Sequence, residues 1–305
     1  MASIPTTTVE EEFEKNPDLK KEDLASLRRW LAEYPHFPAI PERQLILFLH
    51  SCYYNIENTK SCIENYYTVR SNTPYFFKDR DVSRPELQTA LKTLVFCEFP
   101  GFDPNGYVVG YHRLRDTEPS HYVFNDGVKL LFMGMDAGLH KYGSVPGFVI
   151  VFDMKGVRLG HLTRLNLRAL HRFFIYVQEA NPIRLKAVHV LNTSSLIDKV
   201  MFLIKPFIKK EFLELIHFHK GDNSTIYQYL PKRCLPVDYG GELPSVEELH
   251  TIHCENLQKL QPFFEEEESF RIDESKKPRG KKKTSSSYDS LPPPEPVSIQ
   301  SLEID

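Results

Sequence analysis

Asp153 ends the apolar run "GFVIVFD", where an α/β enzyme would place a catalytic carboxylate at the carboxyl end of a strand. Such a group needs a nucleophile, a base or a phosphate cradle beside it. Gly134, Gly138 and Gly143 stand four and five apart and open neither G-x-G-x-x-G nor G-x-x-x-x-G-K-[ST]. G-x-S-x-G is absent too, which removes the usual hydrolase elbow. His189, His217 and His219 are the other candidates. Strand alternation puts His217 and His219 on one face, and three imidazoles could hold zinc. The same alternation equally makes them half-buried residues hydrogen-bonded behind a sheet. No catalytic residue and no metal is assigned, and the chain reads as a non-enzyme.

Composition narrows the partners. Apolar residues make up 41% and charged residues 26% of 305, with a net charge of −3, as in an ordinary globular protein. That balance gives no drive towards polyanions, and no basic stripe interleaved with aromatics stands out, so nucleic acid is not expected. Five cysteines without a C-x-x-C pair read as reduced thiols of a cytosolic protein. The start "MASIPTTTVEEEFEK" lacks the basic-then-apolar order of a secretory signal. No uncharged apolar run reaches the roughly 18 residues that a membrane span needs.

The elements that would position any site fall into four segments. Residues 1–18 are a polar lead. Residues 19–75 form a helical lobe: "EDLASLRRWLAEY" sets Leu24, Leu27, Leu31 and Tyr34 at helical spacing, and Pro35, Pro38 and Pro41 stop it. "PERQLILFLHSCYYN" and "IENTKSCIENYYTVRS" read as two further helices. Residues 85–265 change texture. "YVVGYHRL", "GFVIVFDMKG", "KAVHVLN" and "LELIHFHK" read as strands, with room for crossover helices over 125–142 and 164–180. The fold class is α/β, a mainly parallel or mixed sheet covered by helices. "FVIVF" and "AVHVL" are nearly continuous apolar runs, which predicts burial on both faces. Residues 273–305 read as a disordered tail, whose run "KKPRGKKK" suits plain solvation, an anionic membrane or a nuclear address.

Two stretches remain. "SLIDKVMFLIKPFIKKEF" is a helix apolar nearly all round, so it is either deeply buried or alternates between protein and lipid. Pro206 breaks or kinks it near its end. "LPKRCLPVDYGGELP" sets three prolines before and after a glycine pair. A chain with apolar elements and no polar machinery favours a binding module with a greasy ligand.

Five stretches in order, "GFVIVFDMKG", "NPIRLKAVHVLN", "MFLIKPFI", "LIHFH" and "LPVDYGGELP", resemble the CRAL-TRIO lipid-binding family. "EDLASLRRWLAEYPHFPAIPERQLILFLHSCYYNIE" is similar to the helical module that precedes that domain. The resemblance covers about residues 20–265. It implies a sheet that floors a hydrophobic cavity and an apolar helix that gates it at a membrane. On this chain the gate would span about residues 197–208, with Val200, Met201, Phe202, Ile204 and Phe207 towards the ligand. The floor would use Phe148, Ile150 and Phe152, then Val188 and Val190. Tyr176, Val177, Ile183 and Leu130 match further cavity positions. The proline–glycine stretch would be scaffold, the exit of the chain from the sheet.

Some members of the family also hold a phosphoinositide headgroup in a basic cleft beside the gate. Arg184 and Lys186 match two cleft positions; Leu213 and Leu215 depart from the other two, with Lys209 and Lys210 displaced nearby. His50 and Ser51 stand where relatives often carry arginine. The expectation is a monomeric cytoplasmic carrier without cofactor that takes a tocopherol, a retinoid or another small hydrophobic ligand and touches membranes transiently. The alternative is a lipid-sensing regulatory module that responds to phosphoinositide.

Overall fold

Five strands lie in sequence order across one sheet: β1 (Leu94–Phe99), β2 (Val108–Leu114), β3 (Phe148–Asp153), β4 (Leu185–Leu191) and β5 (Ile216–Phe218). β1 pairs antiparallel to β2, and every later pair is parallel. Each parallel step therefore moves the same way, and crossovers of one hand that step one way put all their helices on one face. The opposite face must find another cover. This computed structural model describes residues 4–277.

The helices follow chain order. The helical lobe contains α1 (Val9–Lys15), α2 (Lys21–Ala32), α3 (Glu42–Ser51), α4 (Ile56–Asn72) and α5 (Pro74–Phe77), and α6 (Pro85–Thr93) leads into β1. α1 lies within the polar lead. Its signal is a capping box: the Thr8 hydroxyl accepts from Glu11 N–H at 3.1 Å, and the Glu11 carboxylate accepts from Thr8 N–H at 2.7 Å. Glu12 on this helix is fully buried and accepts from Ser144 N–H at 3.1 Å. β1 was not among the four strands read from the sequence.

α7 (Phe124–Tyr142) crosses from β2 to β3; α8 (Leu159–Leu162) and α9 (Leu167–Ile175), continued by a π-turn over Tyr176–Ala180, cross from β3 to β4. α10 (Leu196–Ile204), a 3-10 turn over Lys205–Phe207 and α11 (Lys210–Leu213) cross from β4 to β5. α10 stops two residues before Pro206, which lacks the N–H that a continuing helix requires. α12 (Val246–Lys259) and α13 (Gln261–Ser269) complete the chain, and a last 3-10 turn spans Glu274–Lys276. The part of the expected tail beyond residue 277 lies outside the described residues; Asp273 N–H donates to the His36 carbonyl at 2.8 Å.

Side-chain alternation divides the sheet. Val95, Cys97, Val109, Tyr111, Val149 and Val151 point to the face without crossover helices and pack on Ile226, Leu230 and Leu235. That cover is the proline–glycine stretch. Gly241 passes so close that a β-carbon there would sit 1.9 Å from the Leu235 carbonyl oxygen, and Gly240 takes a φ of +67°. Tyr239 on the same stretch donates its hydroxyl to Asp153, which also accepts from Asn192 Nδ2 at 2.7 Å and from Lys155 N–H at 2.7 Å. Asp153 thus ties β3 to its cover. His189 and His219 occupy this face too, 3.0 Å apart between Nδ1 and Nε2, with Thr225 Oγ1 at 2.7 Å from His219 Nδ1.

A buried charge cluster clamps the helical lobe to the rest. Arg70 Nη2 and Arg80 Nη1 meet Asp136 of α7 at 2.6 and 2.7 Å, and Arg80 Nη2 meets Glu267 of α13 at 2.5 Å. Arg70 pairs with Glu267 as well, and Tyr66 donates its hydroxyl to that carboxylate at 2.6 Å. Burial alone would raise the Glu267 carboxyl; Arg70 and Arg80 overturn this and hold it at about 2.

Candidate ligand cavity

The other face of the sheet floors a cavity of about 350 Å³, within the range of small-ligand sites. Ile150, Phe152, Val188 and Val190 supply its floor from alternate positions of β3 and β4. Ile150 and Phe152 are only partly buried because their side chains meet empty space rather than protein, which is why "FVIVF" is not solid core on both faces. α7 contributes Phe124, Gly127, Val128, Leu131 and Met135, spaced as one helical stripe. Phe173, Phe174 and Val177 enter from α9 and its π-turn, and Ile183 from the loop before β4.

α10 roofs the space. Ile197, Val200, Met201 and Ile204 fall at i, i+3, i+4 and i+7 and line the cavity. Leu203 is buried among the aromatic residues of the helical side, and Phe202 points away from the protein, 59% exposed. Hydrogen bonds tie the roof at both ends. Gln178 of the π-turn donates to the Phe207 carbonyl at 2.9 Å and accepts from Lys209 N–H at 2.7 Å. At the other end Thr193 Oγ1 donates to the His219 carbonyl at 2.7 Å.

Polar atoms are few inside. His161, buried beside Tyr122 with ring centroids 5.7 Å apart, holds Nδ1 within 3.0 Å of Arg158 N and 3.3 Å of the Arg158 carbonyl oxygen. Its Nε2 has no hydrogen-bond partner. His112 bonds the Val95 carbonyl through Nδ1 at 3.2 Å and lies stacked on Phe96 and near Phe152. Burial holds its ring down at about 4, so it is neutral at pH 7.

Five expected cavity residues sit elsewhere. Leu130 packs with Val82, Leu87 and Phe264 on the opposite side of α7, because neighbouring helix positions point about 100° apart and Leu131 takes the cavity side. Tyr176 is fully buried in the helical core, where its hydroxyl accepts from Arg70 at 2.8 Å. Phe148, at the start of β3, faces a second space nearer β1. Phe202 faces outwards, and Phe207 stacks against Phe174 and lies near His171 rather than lining the cavity. Sequence reasoning missed Leu131, Met135, Phe173, Phe96 and His112. α7 is apolar on several sides, so its sequence carries no sign of which stripe meets the ligand.

The basic residues divide. Arg184 Nε donates to the His50 carbonyl at 2.8 Å, and its guanidinium lies 4.1 Å from the ring centre of Tyr53. Lys186 Nζ donates to the Tyr53 hydroxyl at 3.1 Å. Tyr53 is 62% exposed and, like Tyr54, adopts a positive φ, of 51° and 60° respectively. Burial, aided by Arg184 and Lys186, holds His50 at about 3 and therefore uncharged. Lys209 instead pairs with Glu179 at 2.8 Å, and Lys210 is exposed.

A helical lobe clamped to a mixed sheet, whose one helix-covered face encloses an apolar cavity, defines an α/β ligand-cavity protein. Residues 92–241 match the model of the CRAL/TRIO domain, and residues 16–87 match that of the Pinta-like UBA domain. The chain is 26% identical over 238 residues to human alpha-tocopherol transfer protein-like, which covers 77% of this chain and 69% of that protein. It is 22% identical over 253 residues to clavesin-1 of Xenopus laevis, with 80% and 75% covered. Among solved structures, "Crystal structure of Sfh5" aligns at 16% identity over 81% of each chain, with a TM-score of 0.45. The chain belongs to the CRAL-TRIO family, whose members usually bind or transfer lipids. Among the described residues no helix is long and apolar enough to cross a membrane.

Proposed function

We propose that this protein carries a small hydrophobic ligand in the cavity and passes it between membranes when α10 swings outward. The observation that carries this reading is the roof itself: an apolar helix over an apolar cavity, tied by polar groups at its ends and bearing Phe202 on its outer side. Burial of about 400 Å² of ligand at ~25 cal/mol/Å² offers on the order of 10 kcal/mol before entropy costs. Release needs an equally greasy alternative, and a bilayer supplies it to both ligand and roof. His161 Nε2, which has no partner in the protein, offers a polar ligand one contact in a mostly apolar wall. No bond is made or broken. The Phe202→Asp variant should keep its fold and its bound lipid yet transfer that lipid between vesicles about tenfold more slowly. Unchanged transfer would remove α10 as the gate, and a purified protein that yields no lipid on extraction would remove the carrier reading.

The basic pair around Tyr53 supports an accessory role, contact with an anionic lipid headgroup such as a phosphoinositide. Arg184 and Lys186 hold two charges against one exposed ring, with a neutral His50 beneath. Lys209 is neutralised by Glu179, so it adds less.

A further inference from the structure

A second cavity of about 400 Å³ runs along the β1 side of the same sheet face, between α7 and α12. It is as large as the space under α10, yet α10 contributes nothing to it. Its walls are Val108, Gly110 and Phe148 below, Gly134, Ala137 and Gly138 of α7 above, and Ile252 and His253 of α12 at the side. Small residues keep it open: a β-carbon at Gly134 would come within 3.3 Å of the His253 ring, and one at Gly110 within 3.3 Å of Ile150. Its far end reaches the surface at Pro100, Gly101 and Pro244. One polar atom inside lacks a partner, His253 Nε2, on a ring that burial holds at about 4 and so uncharged at pH 7.

The two spaces share their dividing wall. Phe96, His112, Leu131, Met135 and Ile150 line both. Three of these are flexible aliphatic chains, and methionine in particular fills and vacates irregular gaps at little cost. Neither histidine on the route carries a charge at neutral pH, so an apolar chain crossing the divide meets no ion.

We propose that the cavity under α10 and the space between α7 and α12 form one binding channel, filled by a single elongated lipid whose acyl or isoprenoid chain passes over Ile150 towards α12. This rests on the carrier reading and specifies its ligand class as long-chain. A compact ring system that fills only the space under α10 would leave a second chamber of comparable size unused, whose lining is mostly apolar apart from Asn256 and the Glu98–Lys141 pair at 3.1 Å.

The test uses the full chain and a homologous series of fatty alcohols presented in neutral phosphatidylcholine vesicles. The variant is Ala137→Phe, which fills only the second space; Ala137→Leu replaces it if the larger ring prevents folding. For the wild type, affinity should keep rising with chain length beyond what the first space holds. In the variant the long members should lose roughly fourfold in affinity per methylene displaced, while the shortest are unchanged. A fatty alcohol with a terminal diazirine should label residues of α12, which takes no part in the first cavity. Equal loss for short and long members, no loss for either, or labelling confined to α10 would overturn the channel. A wild type that takes up no member of the series would instead overturn the carrier reading beneath it.

Discussion

The charge cluster and the α10 roof hold the same molecule together by opposite means. Arg70, Arg80, Asp136 and Glu267 are buried and joined at 2.5–2.7 Å in directional bonds. To separate them is to leave charges buried without partners. Between the tied ends of the roof, Ile197, Val200, Met201, Leu203 and Ile204 of α10 pack through apolar contact. Such contacts are non-directional, so they can be exchanged for lipid tails without orphaning a polar atom. On the carrier reading, the part that stays fixed is wired and the gate is greased. On that reading the Gln178 and Thr193 bonds mark where the gate ends.

The hardest way to break this contrast is to cut the wired region. Asp136→Ala should cost about 3–5 kcal/mol in denaturant unfolding, since it leaves two buried guanidinium groups to share the single carboxylate of Glu267. A cost within 0.5 kcal/mol would mean the cluster is not a clamp. Acid offers a second cut. The Glu267 carboxyl is depressed to about 2 against roughly 4.3 in the unfolded chain, so its contribution is present above about pH 4.3 and is lost as pH falls towards 2. Glu267→Gln should flatten that part of the stability profile relative to wild type; an unchanged acid limb would count against the assignment.

A smaller effect sharpens the greased side. Leu203→Ala removes a buried side chain from α10, a change of about 2–3 kcal/mol in a core. Here it should appear as local opening: amides of α10 exchange faster while those of α4 and α7 do not. Uniform acceleration across all three helices would make α10 part of the global core. The smallest expected effect is at the surface. Arg184→Ala should weaken binding to phosphoinositide-containing vesicles several-fold, in a salt-dependent way, and alter stability by no more than about 0.5 kcal/mol. Equal weakening on neutral vesicles would argue against headgroup contact.

The contrast was unevenly legible. The family resemblance placed the floor, and strand alternation picks out Ile150, Phe152, Val188 and Val190 as its face, while Phe148 on the same face lines the second space. The roof was legible as an apolar helix ended by a proline. Helix α7 was not: a one-residue choice between Leu130 and Leu131 turns the side chain by about 100°, from cavity to core. The clamp was illegible for another reason. Its four charges come from residues 70, 80, 136 and 267, and no local pattern links them. The cover behind the sheet was legible as odd punctuation, but its need follows from topology: crossovers of one hand leave that face bare.

Because synthesis proceeds from the N-terminus, Arg70, Arg80 and Asp136 exist well before Glu267 does. At 5–20 residues per second, the ribosome needs roughly 7 to 26 seconds to span the 131 positions between the two carboxylates. Until Glu267 is made the nascent domain holds one guanidinium too many for its acids, and by then every crossover helix of the sheet has been synthesised. On the carrier reading, a lipid enters the hollow before that last clasp shuts, so the guest a cell supplies during translation helps decide what the finished protein contains.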